Sequence, residues 1–147
     1  MKIIVEKNDL THDALVNLLS TALYGNDALM CLYSLESYNE CDQSDDDCLE
    51  DKLAKILLSG RVIEICDLYA EEEDERYGNI DSHWYDDGGG MMSYRINLDN
   101  IVEGLNRAAD DGKTSRVFDI LNDCEMCDME DSYMLMQYIM FGEVVYG

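Results

Sequence analysis

Residues 82–98 read SHWYDDGGGMMSYRINL, and this stretch decides the fold. Asp86-Asp87-Gly88-Gly89-Gly90 divides two runs of strand character, Ser82 to Tyr85 and Met92 to Leu98. Glycine reaches the positive φ of tight turns without steric penalty, so the whole predicts a β-hairpin with a flexible tip. Met92, Tyr94, Ile96 and Leu98 recur at every second position and therefore share one face. Upstream, RVIEICDLY (Arg61 to Tyr69) has Ile63 and Ile65 on one side, with Val62, Cys66 and Leu68 spread so that both faces are partly apolar. That pattern predicts an interior strand.

Helices flank this β region on both sides. After it, Asn100 and Glu103 form a capping-box-like start to a helix that turns Ile101, Leu105 and Ala108 inward and stops near Gly112. A short helix over Thr114–Leu121, an acidic turn over Asn122–Asp128, a last helix over Met129–Phe141 and a closing strand over Glu143–Tyr146 follow. Before it, Lys2–Val5 reads as a short strand. Thr11 then caps a helix in which Leu10 staples onto Leu15, with a stripe of Leu15, Leu18, Leu19, Ala22 and Leu23 ending at Gly25. Ala28–Tyr38 is apolar without a deciding period. A second helix buries Leu49, Leu53, Ile56 and Leu57 and ends at Gly60, with acids at its start that favour the helix dipole. The expected order is β-α-α-β-β-β-α-α-α. It makes an α+β fold, residues 1–147 as a single compact domain, with a small antiparallel sheet and about five helices packed on it. No internal repeat and no Gly-, Ser- or Pro-rich linker divides the chain.

Composition agrees with a folded domain. Of 147 residues 47% are apolar, yet there are only two Phe and one Trp, so the core must be Leu, Ile, Val, Met and Tyr. No segment has the roughly 20 apolar residues of a bilayer span. The start, MKIIVEKNDL, turns charged too early for a signal peptide. A cytoplasmic location is expected, with Cys31, Cys41, Cys48, Cys66, Cys124 and Cys127 as reduced thiols.

Catalytic patterns are weak. His12 lies in a helix's first turn and His83 beside Trp84, and neither has a partner motif. Gly88-Gly89-Gly90 lacks the lysine of a phosphate loop and follows two aspartates that would repel phosphate. Cys124-Glu125-Met126-Cys127 has the spacing of half a zinc site, but the other cysteines match no standard ribbon. The aspartates from Asp42 to Asp51 lack the bend glycine and the twelfth-position Glu of a calcium loop. Met129, Met134, Met136 and Met140 read as core filler, with an adaptable binding face as the rarer use of such a cluster. The expectation is a protein that is not an enzyme and holds no cofactor or metal.

Charge is the dominant feature: 33 acidic against 10 basic side chains, formally −23. Nucleic acid and anionic membrane are excluded as direct partners, and basic protein surfaces are favoured. The acids fall in three blocks, Glu40–Asp51, Glu64–Glu75 and Asp110–Asp131. Duplex DNA carries one charge per about 1.7 Å of axis, and carboxylates four apart on a helix lie about 6 Å apart, so acidic helices can imitate a phosphate row. A merely solvated acidic surface is the competing explanation. The candidate contact residues are Asp45, Asp46, Asp47, Glu50, Glu71, Glu72, Glu73, Asp74 and Glu75, with Tyr69, Tyr77 and Trp84 as aromatic anchors.

LVNLLSTALYGN (Leu15–Asn26) and LMQYIMFGEVVYG (Leu135–Gly147) resemble the ends of small uncharacterised acidic proteins of phages and integrative elements of Gram-positive gut bacteria. The likeness lies in apolar helix faces with glycine stops, and it carries over no functional residue. It implies a mobile-element origin. By analogy with anti-restriction and anti-CRISPR inhibitors, it implies an inhibitor that occupies the basic nucleic-acid channel of a host defence enzyme. The alternative is a regulatory or assembly module that homodimerises through the Met- and Tyr-rich C-terminal helix.

Overall fold

The computed structural model describes residues 4–24, 29–32, 49–71, 80–86, 90–122 and 129–145. In chain order these form α1 (His12–Tyr24), β1 (Leu29–Leu32), α2 (Leu49–Leu58), β2 (Ile63–Asp67), β3 (Ser82–Tyr85), β4 (Met91–Ile96), α3 (Leu98–Ala108), α4 (Thr114–Asn122) and α5 (Met129–Phe141). The strands make one antiparallel sheet in the order β1-β2-β4-β3, so the fold is α+β as the sequence predicts. The apolar run without a deciding period supplies β1, an edge strand paired with β2.

Register divides the sheet into two chemically distinct faces. Ile63 pairs with Ile96, Ile65 with Tyr94 and Asp67 with Met92, and on the far side Trp84 pairs with Met92. Partners directly opposite share a face. Ile63, Ile65, Met92, Tyr94 and Ile96 are all buried in the main cluster. Tyr94 meets Phe141 of α5 edge-on at 5.4 Å, which locks this face to the helices. Glu64, Cys66, His83, Tyr85, Ser93 and Arg95 occupy the other face.

At the hairpin, Gly90 has φ +95, and a Cβ there would lie 2.3 Å from the Trp84 ring. Only glycine combines that backbone with so close an indole.

Helix ends follow the local chemistry. Thr11 caps α1 by accepting the Ala14 N–H at 3.2 Å, and Leu10 and Leu15 are both buried, as a staple requires. Gly60, at φ +87, closes α2. Its N–H reaches Leu57 O at 3.0 Å and the Arg61 N–H reaches Ile56 O at 3.2 Å, the paired bonds of a Schellman turn.

Three expectations are corrected. The capping box of α3 lies three residues earlier: Asn97 and Asn100 exchange side-chain to N–H bonds, each 2.9 Å long. The Asn100 amide therefore points back along the chain, and Glu103 instead approaches Arg107 at 3.4 Å. The N-terminal strand is not formed at Ile4–Val5, while Lys2 and Ile3 lie outside the described residues. Both N–H groups donate to Asn106 Oδ1 at 2.8 Å, and Asn106 Nδ2 donates to Val5 O at 2.9 Å. One buried amide thus takes the place of a neighbouring strand. The closing strand is also not formed over residues 143–145. Gly142, at φ +77, turns the chain, and the Val145 N–H donates to the buried Gln137 Oε1 at 2.8 Å.

The last helix, α5, packs against α1, α3 and α4. Leu135 to Phe141 are all buried, including Met136 and Met140, so the methionines there fill core. Gly104 of α3 sits at a close crossing with α5, where a Cβ would meet the Ile139 backbone at 2.4 Å.

Candidate functional site

Paired one to one, the chain's 10 cations match 10 of its 33 acids and leave an excess of 23 carboxylates. Some acids are nevertheless committed to structure. Asp67 is fully buried, and its Oδ1 accepts the Tyr69 N–H at 3.0 Å, closing the turn after β2. Asp51 lies 2.8 Å from His12 Nε2, tying the start of α2 to that of α1. Asp131 lies 3.4 Å from Arg116. Asp110 and Asp111, on the wide turn Ala109–Lys113 that ends α3, reach the surface.

The four candidate contact residues among those described, Glu50, Tyr69, Glu71 and Trp84, fall in three places. Tyr69 is 60% exposed, and Glu71 stands exposed two residues on, beyond the buried Ala70. These two share the segment that follows β2. Glu50 lies half-buried in the first turn of α2, where its charge favours the dipole. Trp84 lies half-buried on the helix-facing side of β3, its ring against Gly90 and its Nε1–H donated to Asp86 at 2.9 Å. The hairpin takes up much of the indole that the sequence offered as an anchor. Asp45, Asp46, Asp47, Glu72, Glu73, Asp74, Glu75 and Tyr77 lie outside the described residues, as do Cys124 and Cys127. Glu64 and Asp67, both in the second acidic block, are drawn into the sheet.

The structure adds a site that motif reading missed. On the second face of the sheet lies a cleft of about 370 Å³ lined by Glu64, Asp81, Ser82, His83, Tyr85, Ser93 and Arg95. Glu64, on the interior strand β2, accepts hydrogen bonds on Oε2 from Ser93 Oγ at 3.0 Å and Tyr85 Oη at 3.2 Å. Loss of water, and then the Glu64 charge, hold the Tyr85 phenol above its ordinary pKa. The His83 and Tyr85 rings meet edge-on, 4.5 Å between centroids. Arg95 reaches Asp81 at 3.9 Å on the rim, and its N–H donates to Asp81 O at 2.9 Å. Beneath the floor, burial pushes the Cys66 thiol up to about 11, with the Ser93 hydroxyl pulling it partway back. The signal was present as alternation: His83, Tyr85, Ser93 and Arg95 are the polar positions between the apolar ones of the hairpin.

Among the described residues, no group of three or more His, Cys, Asp or Glu side chains is placed to hold a metal ion. Among them, too, no helix is long and apolar enough to cross a membrane. Compared with known proteins, the chain matches no family model, no curated protein and no solved structure.

Proposed function

We propose that this chain is a non-enzymatic acidic binding protein that docks on the basic, nucleic-acid-binding surface of another protein, such as a host defence enzyme. The observation that carries the reading is the excess of 23 carboxylates over all the cations the chain owns. So large a surplus repels itself and works against the compact state, and a basic partner relieves that repulsion on contact. Exposed Tyr69 beside Glu71 supplies the pairing of an aromatic anchor with charge that concentrates binding energy at interfaces. Acids arranged at a basic channel would compete with the nucleic acid the channel normally holds.

The test is competition. The immobilised chain is exposed to a Gram-positive host lysate, washed, and challenged with duplex DNA. The reading expects a retained nucleic-acid-binding protein that duplex DNA releases. Retention that duplex DNA leaves unchanged, or no retained protein, contradicts it.

A further inference from the structure

We propose that the outer edge of β3 receives an extended, cationic segment of the basic partner as an added strand. This rests on the docking function above and assigns the form in which the partner is held.

β3 ends the sheet order β1-β2-β4-β3, so its pairing with β4 uses one side of its backbone. Register fixes which groups point the other way. The Arg95 N–H donates to Asp81 O at 2.9 Å, in line with the pairs Ser82 with Tyr94 and His83 with Ser93. Hydrogen-bonded and non-hydrogen-bonded pairs alternate along an antiparallel ladder. Asp81, His83 and Tyr85 therefore bond to β4, while Ser82 and Trp84 direct their N–H and C=O groups outward. Among the described residues no strand lies on that side, and Ser82 and His83 are exposed. Lysine, proline or a bulge commonly guards such an edge. β3 reads SHWY, with neither lysine nor proline, and its register with β4 runs unbroken.

Charge selects the occupant. Asp81 and Asp86 flank the strand, both exposed, and between them the strand carries no formal charge with His83 neutral. Arg95, 3.9 Å from Asp81, offsets part of that acid's charge, but the molecule as a whole stands at −23. A second copy would bring another −23 to the same edge, and an acidic segment would be repelled in the same way. A cationic segment is drawn in and held in register by the two aspartates. Positions 81 and 86 lie on opposite faces of the strand, so cations at the same spacing on an added strand come opposite both acids, one on each face. In strand addition the main-chain hydrogen bonds supply affinity and the side chains supply selectivity.

The test follows amide hydrogen exchange in the full chain by NMR as a blocked peptide, acetyl-Arg-Thr-Val-Thr-Val-Arg-amide, is added. Exchange of the Ser82 and Trp84 amides should slow at least about tenfold at saturation, the scale of one hydrogen bond gained, while that of His83, already bonded to β4, stays as it was. Two N-methylated forms of the peptide, each blocking one alternate set of amides, should differ: one loses binding and the other keeps it. The peptide with glutamate in place of both arginines should not bind. Ser82→Pro removes an outward donor at an exposed position without taking a bond from the ladder, and should weaken the arginine peptide at least about tenfold. If that variant does not fold, the N-methylated pair decides. Unchanged exchange at Ser82 and Trp84, equal binding of the two N-methylated forms, or binding of the glutamate peptide would overturn the proposal. So would slow exchange there without peptide that quickens on dilution, which would give the edge to a second copy. Failures of the two readings separate. If docking holds and the edge reading fails, folded Ser82→Pro retains the DNA-displaceable partner as tightly as the unaltered chain. If the edge holds and docking fails, the arginine peptide protects Ser82 and Trp84 while no partner is displaced by DNA.

Discussion

Asn106 shows how much one side chain can decide. It is buried, and it satisfies two N–H groups and one carbonyl of the chain's first described residues. Asn106→Ala leaves those groups buried without it, at roughly 1–3 kcal/mol for each stranded group. The expected outcome in urea unfolding is a loss of about 3 kcal/mol or more. Asn106→Leu should fare no better, because leucine fills the space but supplies no polar atom. Cys66 makes a prediction in pH. Its thiol sits at about 11 against an ordinary 9.0, so between these values the folded chain keeps a proton that the unfolded chain has lost. Stability is therefore unaffected by this group below pH 9 and falls as pH rises toward 11, by about 2–3 kcal/mol from Cys66 alone. Tyr85, Tyr133 and Tyr138 are also raised and add to the fall at higher pH, so the Cys66 share is read as the difference in slope between the chain and Cys66→Ala. Tyr69→Ala should leave the melting temperature nearly unchanged, since the ring is 60% exposed, while costing about 2 kcal/mol of partner affinity if it anchors the contact.

At the level of elements, the crossing of α3 and α5 leaves little room for change. A Cβ at Gly104 would fall 2.4 Å from the Ile139 backbone, and backbone cannot swing aside as a side chain can. Gly104→Ala is expected to force the helices apart at a cost of about 1–3 kcal/mol, despite alanine's better helix propensity, and a thermal melt reads the sign directly. Much of this level was legible in the sequence. The hairpin, the interior strand, the Thr11 cap and the span of α5 each rested on periodicity or punctuation that tertiary packing then reinforced. The misreadings came where one side chain had two possible partners. Asn100 faces Asn97 and not Glu103, and the N-terminal backbone pairs with an amide over a hundred residues away, a contact no local pattern encodes. The cleft was hidden for a related reason. Glu64 is separated from Tyr85 by 21 residues and from Ser93 by 29, and only strand register brings the three together.

Across the whole molecule, the surplus of acid and the placement of acid are different questions. The sequence makes the surplus plain, but not that Asp67 would be buried or that Glu64 would join a hydrogen-bonded cleft. Burial of Leu135 to Phe141 in α5 commits that run of the helix to the core. The central claim, that binding is driven by the acidic surplus, is tested most directly by the salt dependence of affinity for the DNA-displaceable partner. At physiological ionic strength the screening length is about 8 Å, and it falls to about 3 Å at 1 M. The account predicts that affinity drops steadily as salt is raised through this range, chiefly through slower association. An affinity that stays flat from low to high salt would contradict it.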